Sequence, residues 1–141
     1  MFKIFSCLVI MVMLCALAGC IAGNVATPLQ QANGDWALSF DKTMVANQEL
    51  RDLVNEDPDM EQYMRETMQG LTLTVDMERK VIILTMDGQM DDESEFTVVS
   101  EMPEDNKIVL DMNGSHFILI IKDDHMDWVE NGDILVFDRI K

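Results

Sequence analysis

From Leu71 onward the sequence alternates short apolar-rich runs with turn residues, and this pattern restricts the fold more than any other feature. The runs are LTLTV (71–75), KVIILTM (80–86), EFTVVS (95–100), KIVLDM (107–112), HFILII (116–121), MDWVE (126–130) and ILVFDRI (134–140). Asp87-Gly88, Asn113-Gly114 and Asn131-Gly132 punctuate them. Such pairs accept the positive φ that a two-residue hairpin demands. Runs joined this way pair with their sequence neighbours as an antiparallel meander. One more run opens the domain, where Trp36, Leu38 and Phe40 alternate with small or polar residues. The expected fold is mostly β: a small antiparallel up-and-down barrel of about eight short strands, since closure removes exposed edges.

The period changes between the first strand and Leu71. Val45, Leu50, Leu53 and Val54 are spaced for one helix face. Asp57 is suited to cap a second helix with Pro58 in its first turn, and Gly70 to stop it. Met60, Met64 and Met68 recur every four residues in that helix, with Tyr63 alongside. One or two helices are therefore expected after the first strand. VIIL (81–84) and FILII (117–121) are apolar on both faces, and the helices are the obvious cover. If they cap a barrel mouth, the three methionines plug it, because a flexible thioether fills irregular gaps. Cu(I) is the competing use of such a stripe. Helix burial produces the same period and thioether sites are usually denser, so no metal or cofactor is expected.

Alternation places Trp36, Leu38, Phe40, Leu73, Val75, Phe96, Val98, Ile108, Leu110, Leu135 and Phe137 inward. Among these, Leu38, Phe40, Leu73, Val75, Phe96, Val98, Leu110 and Phe137 are the expected lining of any ligand space. The acidic stretch Asp87-Gly88-Gln89-Met90-Asp91-Asp92-Glu93 does not match a calcium loop, whose glycine comes sixth, and reads as a solvated turn.

The N-terminus reads as an address. Lys3 precedes an apolar run, Ile4 to Ala18, in which Ser6 alone is polar. The run ends in Leu17-Ala18-Gly19-Cys20, which resembles the lipobox of bacterial lipoproteins. That resemblance implies cleavage before Cys20 after its sulfur has received a diacylglyceryl group. Ile21 in place of Asp implies sorting to the outer membrane in enterobacteria-like systems. An uncleaved span over residues 4–23 is the alternative, but the short apolar core and small-residue cleavage site favour a signal peptide. The expected layout is a signal peptide at 1–19, a flexible tether at 20–33 that begins with lipidated Cys20, and a domain at 34–141. A coil of that length reaches about 20 Å. The expected location is the bacterial cell envelope, lipid-anchored in the outer membrane and facing the periplasm, with the membrane engaged through acyl chains on Cys20. Cys7 and Cys15 leave with the leader, so no disulfide and no thiol chemistry is expected in the domain.

Gly34, Trp36 and Arg139 carry a second resemblance. A Gly-x-Trp opening a meander, with an Arg near the end of the last strand, resembles the calycin superfamily and, within it, bacterial lipocalin-like lipoproteins. The resemblance implies that the Trp closes one end of the barrel and that the Arg packs across the indole. A guanidinium over a π face contributes ~0.5–2 kcal/mol. The strands here are short, helices follow the first strand and none follows the last, so the family's ligands do not transfer.

Charge narrows the function. Lys and Arg number 10 against 26 Asp and Glu, a net charge of −16. Nucleic acid attracts the opposite balance and is excluded. No Gly-x-Ser-x-Gly, His-Glu-x-x-His or phosphate loop occurs, and His116 and His125 stand apart, so catalysis is not expected. The expected function is a membrane-anchored module binding a small hydrophobic ligand such as a lipid or acyl chain. The alternative is a filled barrel that presents an acidic surface to other envelope proteins.

Overall fold

The computed structural model describes residues 25–140. Leu17, Ala18, Gly19, Cys20 and the leader lie outside the described residues. The chain forms helix α1 (Pro28–Ala32), strand β1 (Gly34–Leu38) and helices α2 (Phe40–Ala46), α3 (Gln48–Glu56) and α4 (Pro58–Met68). Strands β2 (Leu71–Asp76), β3 (Val81–Met86), β4 (Gln89–Glu95), β5 (Thr97–Met102), β6 (Lys107–Met112), β7 (Ser115–Ile121), β8 (His125–Glu130) and β9 (Asp133–Arg139) follow.

All nine strands join one antiparallel sheet in the order β4-β3-β2-β1-β9-β8-β7-β6-β5. Its hairpins use the expected turns: Asn113 and Gly114 have φ of 55° and 83°, Asn131 and Gly132 51° and 94°. First and last strands meet in the middle, with Trp36 opposite Arg139 and Leu38 opposite Phe137. Strands β4 and β5 lie at opposite edges, yet Phe96 alone separates them in sequence. The sheet must therefore curl until its edges approach. The result is a mostly β half-barrel whose edges are tied through the chain, with no ladder between β4 and β5 among the described pairings. Phe96 is buried at this corner, and its N–H donates to the Lys80 carbonyl at 2.9 Å.

The architecture is the expected one, and its details correct the sequence reading in four places. Most of the stretch read as a turn, Asp87 to Glu93, belongs to the edge strand β4, and three helices rather than one or two follow β1. The tether read over 20–33 stops short, because Thr27 already begins the domain. Its hydroxyl accepts from the Gln30 N–H while the Gln30 side chain accepts from the Thr27 N–H, a reciprocal cap that starts α1. Pro28 and Ala32 are buried, and α1 packs on β5, β6 and β7. Phe40 does not extend the first strand. Ser39 caps a helix instead, and Phe40 opens it, covered by the Arg65 guanidinium 4.4 Å above its ring.

Helix α2 continues the work of β1 with side chains. Strand β9 outruns β1, which would leave the polar groups of Val136 and Ile134 without a ladder partner. The Ser39 N–H donates to Val136 O, and the Val136 N–H donates to Thr43 Oγ1 at 2.9 Å. One helical turn on, the Ile134 N–H donates to Asn47 Oδ1 at 3.0 Å while Asn47 Nδ2 donates to Ile134 O. Hence Thr43 and Asn47 are buried polar residues, while Val45, expected on the packed face, is 75% exposed. Helices α3 and α4 bury no residue completely.

Candidate functional site: an apolar cavity at one end of the half-barrel

Strand alternation gives the curled sheet an apolar inner face whose two ends differ. At one end it is filled. Trp36 is fully buried, and its Nε1–H donates to the Ala32 carbonyl of α1 at 2.8 Å. The Arg139 guanidinium stacks 4.1 Å from the indole centroid and donates to the Gln31 carbonyl. Gly34 has φ of 127°, which excludes other residues by conformation, since a Cβ there would meet Arg139 Nη1 only at an ordinary 3.6 Å. The structure thus brings Gly34, Trp36 and Arg139 together. Leu73, Ile108, Leu110, Leu119 and Met126 close-pack behind them with no exposure.

The other end is open. A cavity of about 430 Å³ lies on the inner face, with Ile82, Leu84, Phe117, Trp128, Leu135 and Phe137 among its apolar walls. Phe117 meets Trp128 edge-on, with ring centroids 5.0 Å apart. Asp92, Ser94, Asn113, Ser115 and Glu130 supply its polar groups. Register explains the two from β4: Asp92 sits opposite Leu84 and Ser94 opposite Ile82, so both share the cavity face. Beside it, a second space of about 590 Å³ lies between the helices and the sheet. Leu50, Met64 and Met68 face Ile134 and Leu135 across it, and Trp128, Glu130 and Leu135 form a wall common to both spaces.

These positions sort the residues singled out from the sequence. Met64 and Met68 line the second space from the helical side, while Met60 is half-buried and lines neither space. Of the eight expected lining residues, Phe137 alone borders the cavity. Leu73, Val75, Phe96 and Leu110 belong to the filled core, and Leu38 and Val98 pack against it. Phe40 lies under Arg65 on α2. Sequence reasoning missed Ile82, Leu84, Phe117 and Trp128, whose runs were read as apolar but not assigned to a ligand space. It also missed Asp92 and Ser94, whose alternation within an acidic strand was the available signal.

A charged cluster sits elsewhere, where α2 meets β8 and β9. Lys42 pairs with Asp138 at 2.5 Å and with Asp124 at 3.6 Å. His125 Nδ1 lies 2.6 Å from Asp124, and Lys122 pairs with Asp127 at 2.7 Å. The hydrogen bond to Asp138 raises the pKa of Lys42, and the His125 contact followed by the Lys42 charge lowers that of Asp124. The partners of His125 are the carboxylates of Asp124 and Asp127, and Lys42, through Asp124 and Asp138, pins α2 to the sheet. Among the described residues no group of three or more His, Cys, Asp and Glu is placed to hold a metal ion, and no helix is long and apolar enough to cross a membrane. No protein-family model, curated protein sequence or solved structure matches the chain.

Proposed function

We propose that the domain is a non-catalytic binding module that receives a small apolar ligand at the open end of the half-barrel. The observation that carries this reading is the cavity of about 430 Å³ walled by Phe117, Trp128, Leu135 and Phe137. Ligand sites are typically concave and apolar, span ~300–1,000 Å³ and carry a few polar groups that fix orientation. The neighbouring Met64 and Met68 suit the role, because unbranched thioethers repack around different shapes. In the same proposal the domain is that of a bacterial lipoprotein of lipocalin-like type. Acyl chains on Cys20 hold it at the envelope, in the outer membrane facing the periplasm. The stacked Trp36–Arg139 pair behind Gly34 supports the lipocalin-like assignment, and Leu17-Ala18-Gly19-Cys20 supports the anchor.

Native mass spectrometry of the delipidated full chain with 1-dodecanol tests the binding reading. One bound alcohol is expected, and Leu135→Trp, which fills the cavity, should abolish it. Absence of an adduct, or equal adducts in both proteins, overturns the reading. The packing of Leu73, Leu110 and Leu119 favours the second reading, a largely filled module that contacts other envelope proteins, and that outcome would select it.

A further inference from the structure

The cavity carries a sign as well as a shape. Among the described residues its charged lining groups are Asp92 and Glu130, and no Lys, Arg or His borders it. The adjoining space repeats the pattern with Glu130 and Asp133. These two stand directly opposite each other across the β8–β9 hairpin, a like-charge pairing that costs stability. None of the three acids has a cationic partner among the described residues. The position of Asp92 is a separate observation. It occupies the cavity-side position opposite Leu84, beside the apolar walls, and its own hydrogen bond comes from Ser94 on the same face. A fatty acid would therefore bring its carboxylate to a mouth that already repels it, in a chain of net charge −16.

We infer that the ligand is a cationic amphiphile, with its apolar body against Phe117, Trp128 and Leu135 and an ammonium group at the mouth beside Asp92 and Glu130. This rests on the binding reading above. The bound cation takes the place of the missing counter-charge, and the indole face of Trp128 offers further attraction to it. The acids therefore act as selectors, and the apolar walls supply affinity common to every ligand of that size.

Three water-soluble probes with one apolar body separate the two readings: 4-phenylbutylamine, 4-phenylbutanol and 4-phenylbutyrate. Each is titrated into the full chain at pH 7, with tryptophan fluorescence as the readout. The amine should bind about tenfold more tightly than the butyrate, with the alcohol between them. The gap should shrink as ionic strength rises, because an exposed rim is screened. Combined Asp92→Asn and Glu130→Gln should remove the advantage of the amine over the alcohol and the butyrate. Equal or tighter binding of the butyrate refutes the charge selection while the binding reading survives. Failure of all three probes to bind refutes both. If the double variant does not fold, the salt dependence of the intact protein still decides, and a salt-independent order refutes the inference.

Discussion

Asn47 offers a sharp test of how α2 and β9 are joined. Its side chain makes three hydrogen bonds: Nδ2 to Thr43 O at 2.7 Å, Nδ2 to Ile134 O, and Oδ1 from the Ile134 N–H at 3.0 Å. Asn47 also stands at the N-cap of α3, but its side chain makes no capping bond there, so loss of an α3 cap does not confuse the result. A neutral bond contributes about 1 kcal/mol net, and an orphaned buried partner costs about 1–3 kcal/mol. Ile134 is half-buried, so water recovers part of the loss. Asn47→Ala should therefore destabilise the domain by about 2–3 kcal/mol, a fall in Tm of roughly 10 °C for a domain of this size. Thermal melts followed by circular dichroism measure the total. Hydrogen exchange localises it, because the amides of Ile134 and Val136 should lose protection before those of β6 and β7. Asn47→Asp keeps the acceptor but turns a carboxylate toward two carbonyl oxygens, and should be no better than alanine. If Asn47→Ala melts within about 2 °C of the parent and Ile134 stays protected, α2 does not complete the ladder of β9.

Three further outcomes are expected. Trp36→Ala should cost ~3–5 kcal/mol by urea denaturation, whereas Arg139→Ala, which uncovers the ring without emptying the core, should cost ~0.5–1 kcal/mol; equal losses would contradict the division between plug and lid. The depressed pKa of Asp124 means that its contribution is complete above the unfolded carboxyl value, about 3.9, and is lost as pH falls through the folded value. Asp124→Asn should accordingly flatten the acid limb of the stability profile below about pH 4 while leaving the profile near neutrality parallel to that of the parent, and an unchanged acid limb would remove Asp124 from the account. Cys20→Ser should release the chain from the membrane fraction; retention of an uncleaved leader would instead favour the spanning reading of residues 4–23.

The sequence exposed those parts of the fold that bury one face. Strands β2, β3 and β5 to β9 each carry apolar residues in alternation or in runs, and paired positive-φ residues mark the β3–β4, β6–β7 and β8–β9 hairpins. Strand β4 escaped because its cavity-side positions are Asp92 and Ser94, so its period carries no hydropathy. Helix α1 has a clear cap in Thr27 and Gln30, but five residues are too few for an amphipathic stripe. The role of α2 was hidden for a different reason. Thr43 and Asn47 are polar residues whose burial depends on where β1 ends relative to β9, a tertiary fact. The Trp36 end was legible because it is built from three residues near the chain ends. The cavity was not, since the positions left uncovered depend on how far the sheet curls and on how Phe96 turns the chain from one edge to the other.

The central place of β9 bears on how the chain is made. A nascent polypeptide that lacks residues 133–139 holds two separate pieces, β4-β3-β2-β1 and β8-β7-β6-β5, connected only at Phe96. Neither can form the Trp36–Arg139 stack, and each presents two open flanks to water and to other chains. Strand β9 is thus made after both of the pieces it joins, and long-range pairing of this kind is slow. Vectorial synthesis consequently leaves the two groups of strands unjoined until residues 133–139 have been made.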